Sequence, residues 1–192
     1  MSGGSGEQAI LTAAVGQMGK FLGLPTGSAA GMADAKMPDA QSGYEKGITN
    51  VMAGLAGINM VYESAGMHAS LLGFCLESLI IDNDMLGQAM RCVRGLEVTP
   101  EKLSLDVMKK TCLEGPGHYL GSDQTLNLMQ SEYIYPTIGD RTSPKEWAEV
   151  GQPVLLETAQ KTLRTILQSP KPSHIPPEVD AAVRERFRIH FS

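Results

Sequence analysis

Strand-forming sequence is scarce in this chain, and that scarcity limits its fold more than any other feature. Across 192 residues only two or three segments read as strands. Ile58-Asn-Met-Val-Tyr62 has β-branched and aromatic residues at its ends and reads as a buried strand. Leu24 to Ala30, short and rich in small residues, is expected to hold a strand followed by a loop. Helical patterns flank the Ile58 segment, and helix, strand and helix in that order point to βαβ units and a parallel sheet. Parallel sheets are covered on both faces, so a self-contained α/β domain needs more strands than these. The count fits part of a larger sheet.

The helical segments follow from spacing and punctuation. Glu7 to Phe21 places Ile10, Leu11, Ala14, Val15, Met18 and Leu22 at helical intervals, and Gly23 and Pro25 stop that helix. Gly31-Met-Ala-Asp34-Ala-Lys36-Met-Pro38-Asp39-Ala-Gln41-Ser-Gly43-Tyr44-Glu45 then gathers carboxylates, an ammonium, an amide and a phenol just before and into the next helix. Pro38 and Asp39 mark the start of that helix. Polar groups in this position resemble an α/β active-site loop, although the same residue types also make ordinary solvated loops. The helix, Asp39 to Ala56, has Ile48, Val51, Met52 and Leu55 along one side and is expected to be buried. Its glycines weaken it intrinsically and suit close packing against another backbone.

Glu63-Ser-Ala-Gly66-Met-His68 lies at the carboxyl end of the second strand. The apolar run Leu71 to Ile81 leads into Asp82-Asn-Asp84, an N-cap-like cluster before a helix from Met85 to Leu96. Thr99-Pro100-Glu101 starts a helix whose core face is Leu103, Val107 and Met108, running through Cys112. Gly115 to Gly121 interrupts it. A shorter helix, Asp123 to Gln130, precedes Tyr133-Ile-Tyr135-Pro136, and Ser143-Pro144-Lys-Glu146 opens the helix holding Trp147. Pro153 to Leu167 is another helix, Pro170 to Pro177 a proline-rich connector, and Glu178 to Phe191 a last helix whose Arg184, Arg186 and Arg188 read as a solvated face.

Composition excludes several classes. The formal charge of -5, with no Lys/Arg cluster, argues against a nucleic-acid surface. Cys75, Cys92 and Cys112 are odd in number and do not have zinc-ligand spacing, so they read as free buried thiols in a reducing compartment. The amino terminus shows no signal-peptide pattern. The most apolar run is 11 residues long and contains Glu77, too short to cross a bilayer. A cytoplasmic protein without membrane association is expected. No His/Cys/Asp set has metal spacing, and Gly3-Gly4-Ser-Gly6 lacks the preceding strand of a nucleotide motif.

Five linked motifs recur in a familiar order. They are Leu22-Gly-Leu-Pro25, the Asp34 to Glu45 stretch, Leu79-Ile-Ile-Asp82-Asn-Asp84, Arg94-Gly95-Leu-Glu97-Val, and Gly117-His118-Tyr119-Leu120-Gly121. Together they resemble the carboxy-terminal part of the trimethylamine methyltransferase family, from near residue 1 to about residue 150. The resemblance implies an α/β fold: the later strands of a TIM (β/α)8 barrel at residues 1–140, with a helical appendage at 141–192. A whole barrel typically takes about 250 residues, so this chain would carry only part of one. The implied activity is transfer of a methyl group from a methylated amine, such as trimethylamine or glycine betaine, to the cobalt(I) of a corrinoid protein. The founding members use pyrrolysine. No residue here is written as pyrrolysine, so the equivalent position lies outside the chain or the protein resembles the non-pyrrolysine relatives that act on quaternary amines. The second is favoured.

Demethylating a quaternary ammonium is an in-line displacement with a neutral amine leaving, so no catalytic acid is demanded. The protein must hold a cation, exclude water and aim the N–CH3 bond. Carboxylates and aromatic faces suit that task. Asp34 and Glu63 are the acidic candidates, and Lys36, Gln41, Tyr44 and His118 the substrate-binding ones. Each has a structural alternative. Asp34 and Lys36 also read as a loop-fixing ion pair, Asp39 as a helix cap, Gln41 as a backbone partner, Tyr62 as core, and His118 as a satisfied lone histidine. No directly bound cofactor or metal is expected, because the cobalamin would be carried by a partner corrinoid protein. A homo-oligomer is expected. The competing reading is a non-catalytic half-barrel that assembles with another chain or with a corrinoid protein.

Overall fold

In a computed structural model, residues 3–170 and 174–189 are described. Met1 and Ser2, residues 171–173 of the proline-rich connector, and the end of the last expected helix, 190–191, lie outside them. The fold is mostly helical with little sheet. Helix α1 (Gly6–Phe21) leads to strand β1 (Gly27–Ala29), helix α2 (Ala40–Ala56) and strand β2 (Met60–Tyr62). β1 and β2 pair in parallel with Ser28 opposite Val61, forming one βαβ unit. After β2 a tight antiparallel hairpin, β3 (Met67–His68) and β4 (Gly73–Phe74), precedes the long helix α3 (Leu76–Arg94). The rest is helical: α4 (Pro100–Leu103), α5 (Leu105–Lys109) running into a π-helical turn at Lys110–Glu114, α6 (Asp123–Glu132), α7 (Pro144–Glu149), α8 (Leu155–Gln168) and α9 (Pro177–Arg186).

The helix starts obey local chemistry. Asp39 caps α2 by accepting the Ser42 N–H at 3.1 Å, the role its position suggests. Ser143 and Glu146 complete a capping box on α7 with Pro144 in the first turn. Gly57, at φ 74°, ends α2 in the left-handed region.

The core is small and polar, and this overturns several expectations. The buried face of α2 is Ser42, Glu45, Lys46, Thr49, Asn50 and Ala53, whereas Ile48 and Leu55 are exposed and Val51 and Met52 only half-buried. α1 packs on α2 and buries Ala9, Thr12, Gly16 and Gly19, of which Gly16 lies against Ala56 of α2, Thr12 against Ser28 and Gly19 against Thr26. A small residue is needed at Gly16 because the end of α2 lies close: a Cβ there would sit 3.2 Å from Ala56 Cβ and 3.3 Å from Ala56 O. β2 was expected to be buried, yet Met60 and Tyr62 are exposed because no third strand lies beside it among the described residues. Helix α3 runs unbroken from Leu76, so Asp82-Asn-Asp84 is helix interior and not its cap. The helix expected from Thr99 through Cys112 breaks at Ser104, φ 58°, and its Leu103 and Met108 are exposed. The cysteines are free, but Cys92 and Cys112 are exposed and Cys75 half-buried. In α9, Arg184 pairs with Asp180 at 2.6 Å on the exposed surface.

α8 packs against α3. Asp84 fixes the segment before α7 to the same helix. Its carboxylate accepts the N–H groups of Thr137 at 2.8 Å, Ile138 at 3.2 Å and Gly139 at 2.9 Å, and the Thr137 hydroxyl at 2.8 Å. Further along α3, Arg91 and Arg94 meet Glu132 at 3.0 and 3.1 Å, and Lys102 meets the same carboxylate at 2.9 Å.

Candidate functional site

Two loops leave the carboxyl ends of the paired strands: residues 30–39 after β1 and 63–75 after β2. Ligand-handling loops of α/β folds occupy this position. The loops are stitched to each other by main-chain bonds. Ala33 N–H donates to Met67 O at 3.3 Å, Ala69 N–H to Ala35 O at 2.9 Å, and Ser70 N–H to Ala33 O at 3.1 Å. The stitch holds Ala69, Ser70 and Leu71 at φ 48°, 53° and 75°, three consecutive left-handed residues, none of them glycine.

α2 organises the first loop from below. Glu45 Oε2 accepts the N–H groups of Asp34 at 2.8 Å and Ala35 at 3.2 Å, while Oε1 accepts from Gln41 Nε2 at 2.9 Å. Thr49 Oγ1 accepts the Gly31 N–H at 3.0 Å. Gly31 sits at φ 78°, and a Cβ there would lie 2.4 Å from both Asn50 Nδ2 and Ser64 O. Only glycine fits.

Beneath both loops lies a buried ionic cluster. Lys46 Nζ, with no solvent exposure, is 2.6 Å from Asp82 Oδ2 and 3.3 Å from His68 Nε2. Asp82 Oδ2 also accepts the Gly66 N–H at 2.7 Å. His68 Nε2 lies 2.5 Å from Ser78 Oγ, and its Nδ1 is 3.2 Å from Ala35 O. A carbonyl only accepts, so Nδ1 carries the imidazole proton and Nε2 receives the Ser78 and Lys46 donors. Burial, then the neighbouring Lys46 charge, lowers the His68 pKa below its ordinary value of 6.5. The cluster thus joins α2, α3, the β1 loop and the β2 loop in one network. Lys46, Ser78 and Asp82, with Asp39, also line a cavity of about 450 Å³ together with the apolar Ile81, Met85 and Leu155.

The sequence candidates are distributed unevenly around this framework. Asp34, half-buried, accepts the Gly3 N–H at 3.0 Å and the Ser70 hydroxyl on Oδ1. Gln41 joins the same network through Glu45. Glu63 is the first residue after β2, exposed and at φ 65°. Lys36 and Tyr44 are exposed. His118 is exposed too, and it lines a separate cavity of about 350 Å³ with Lys110, Thr111 and Ser122 beside the π-helical turn. Sequence reasoning missed Glu45, Lys46, His68, Ser78 and Asp82. Their signal is present: polar residues at helical spacing in a helix expected to be buried, and Ser78 four positions before Asp82. Among the described residues no His/Cys/Asp/Glu group is arranged to hold a metal ion, and no helix is long and apolar enough to cross a membrane.

Comparison with known proteins decides the lineage. The profile of the family described as trimethylamine methyltransferase (MTTB) matches residues 1–188. The chain belongs to that family. Among its curated members in the trimethylamine methyltransferase family, the glycine betaine methyltransferase of Desulfitobacterium hafniense (strain Y51) is 32% identical over 188 residues, 96% of this chain and 38% of the relative. Trimethylamine methyltransferase MttB2 of Methanosarcina mazei is 34% identical over 180 residues, 94% of this chain and 35% of the relative. MttB of Methanosarcina thermophila is 34% identical over 166 residues, covering 86% and 34% respectively. The chain therefore spans little more than a third of the length of these relatives, at their carboxy-terminal end.

Proposed function

We propose that this chain forms the carboxy-terminal portion of a methyltransferase that moves a methyl group from a methylated or quaternary amine to the cobalt(I) of a corrinoid protein. The observation that carries this reading is the family match over residues 1–188, with relatives named for trimethylamine and for glycine betaine. The stitched loops at the carboxyl ends of β1 and β2 support it, because they occupy the position where a TIM barrel places its chemistry.

In this reading the chain's own contribution is positioning. Glu63 is exposed at a strand end, and its carboxylate supplies the negative field that holds the substrate cation. Asp34, tied to Gly3 and Ser70, fixes the first loop, and Glu45 fixes it from the other side. The corrinoid is the methyl acceptor, delivered by its own carrier protein. From a quaternary ammonium, or from a tertiary amine bound as its protonated cation, a neutral amine leaves and no further proton transfer is needed, so the neutral His68 and the paired Lys46 and Asp82 hold the loops in shape without acting on the substrate. The protein is taken to be cytoplasmic and oligomeric.

The test is methyl transfer from glycine betaine or trimethylamine to a supplied cobalt(I) corrinoid protein, read from the corrinoid absorbance. It is run with this chain alone and with the preceding part of the Desulfitobacterium hafniense relative added. Methylation that requires this chain supports the reading, and its absence in both mixtures rejects it.

A further inference from the structure

The cavity of about 450 Å³ beside the ionic cluster has no task in the methyl-transfer reading, yet its lining is chemically sorted. It is formed by α2, α3 and the start of α8, and its volume is in the range of small-molecule sites. Of its charged lining residues, Lys46 and Asp82 neutralise each other, which leaves Asp39 as the net charge. Asp39 Oδ1 accepts the Ser42 N–H, and its other oxygen has no hydrogen-bond partner among the described residues. Two groups offer unused donors. Ser42 is only 4% exposed, but its hydroxyl has no partner among the described residues and is left to the cavity it lines. Val154, Leu155 and Leu156 also line it, at the start of α8, where no side chain caps the helix. The first N–H groups of α8 therefore lack a protein acceptor and sit at the positive end of its dipole. The apolar lining includes Ile81, Met85 and Leu155, and none of the lining residues is aromatic.

We propose that this cavity binds a small zwitterion with an apolar side chain, an α-amino acid of the leucine or methionine type. The carboxylate accepts from the Ser42 hydroxyl and the α8 N–H groups, and the ammonium donates to the open oxygen of Asp39. The side chain packs on Ile81 and Met85. Charge balance selects a zwitterion over a simple acid, because a lone carboxylate would face the uncompensated Asp39. A simple amine would leave the donors of Ser42 and α8 without an acceptor. The ammonium must carry N–H groups, since a quaternary one would meet Asp39 without a hydrogen bond and find no aromatic face. The site thus differs in ligand class from the exposed Glu63 at the strand end, and it does not depend on methyl transfer.

The experiment titrates leucine into the whole chain by calorimetry, beside isocaproate, which lacks the ammonium, and isoamylamine, which lacks the carboxylate. Leucine is expected to bind about tenfold tighter than either, the range for one charged hydrogen bond, and to raise the thermal midpoint. Asp39→Asn keeps the α2 cap, since asparagine caps as well as aspartate, and weakens leucine binding on the order of tenfold. Ser42→Ala weakens it several-fold and leaves the helical circular dichroism unchanged. Excess glycine betaine leaves leucine binding as it was. Four results would overturn the proposal: no binding of leucine, equal binding of either analogue, full affinity in either variant, or displacement of leucine by glycine betaine.

Discussion

Asp82 neutralises an ammonium that has no contact with water, and that pairing sets the strongest residue-level expectation. Asp82→Ala leaves Lys46 buried and unpaired and also frees the Gly66 N–H, at a cost of about 3–5 kcal/mol. In a chain of this size that lowers the thermal midpoint by about 10 °C. Replacing both partners, Lys46→Met with Asp82→Leu, costs far less, because an apolar pair carries no desolvation penalty. Thermal denaturation of the single and double variants checks both statements. His68 gives a pH signature. Its folded pKa lies below 6.5, so the unfolded chain takes up the proton first as pH falls. The associated stability is present above pH 6.5 and declines as pH drops from there toward the folded value. Midpoints measured from pH 7.5 to 5 fall for the native chain, and His68→Asn flattens that slope while lowering the plateau. These residues escaped sequence reading because burying a lysine, a histidine and an aspartate makes sense only once their partners are known, and those stand 22 to 36 positions apart.

At the scale of elements, the sequence showed where helices begin far better than which face they bury. Thr99-Pro100, Ser143-Pro144 and Asp39 each start a helix where cap chemistry places it. Asp82-Asn-Asp84 shows the limit of that logic. Asp and Asn favour caps, but here Asp82 serves Lys46 and Asp84 serves the 137–139 segment, and these tertiary partners keep α3 continuous. The β3–β4 hairpin went unread because its turn lacks the usual glycine or asparagine positions and depends on the neighbouring loop. Asp84 is the joint between α3 and the segment before α7. Burial works to raise its pKa, and the bonds from Thr137, Gly139 and Ile138 outweigh that and lower it. Asp84→Ala removes all four bonds, at a cost of about 2 kcal/mol after solvent screening. Hydrogen exchange should rise at the amides of 137–139 and stay unchanged in α1 and α2.

Across the whole molecule, the parallel βαβ unit and the helical second half were legible from periodicity and turn residues. The placement of the large apolar side chains was not, since periodicity finds an amphipathic face without saying what covers it. Single substitutions Leu11→Gln or Met18→Gln shift stability by no more than about 0.5 kcal/mol, as at exposed positions generally. They also reduce binding of an apolar fluorescent dye. A large loss of stability would show that these side chains already pack within this chain. The left-handed run at Ala69, Ser70 and Leu71 has a consequence of another kind. Each such residue stores about 1–2 kcal/mol, and main-chain bonds from the neighbouring loop keep it wound. Leu71 is 45% exposed, so Leu71→Gly gives up only part of a side chain's packing while relieving the strain, and it is expected to raise the melting point by about a degree. The hairpin is a coiled spring with its latch on a different segment, and heating should release it ahead of everything it touches.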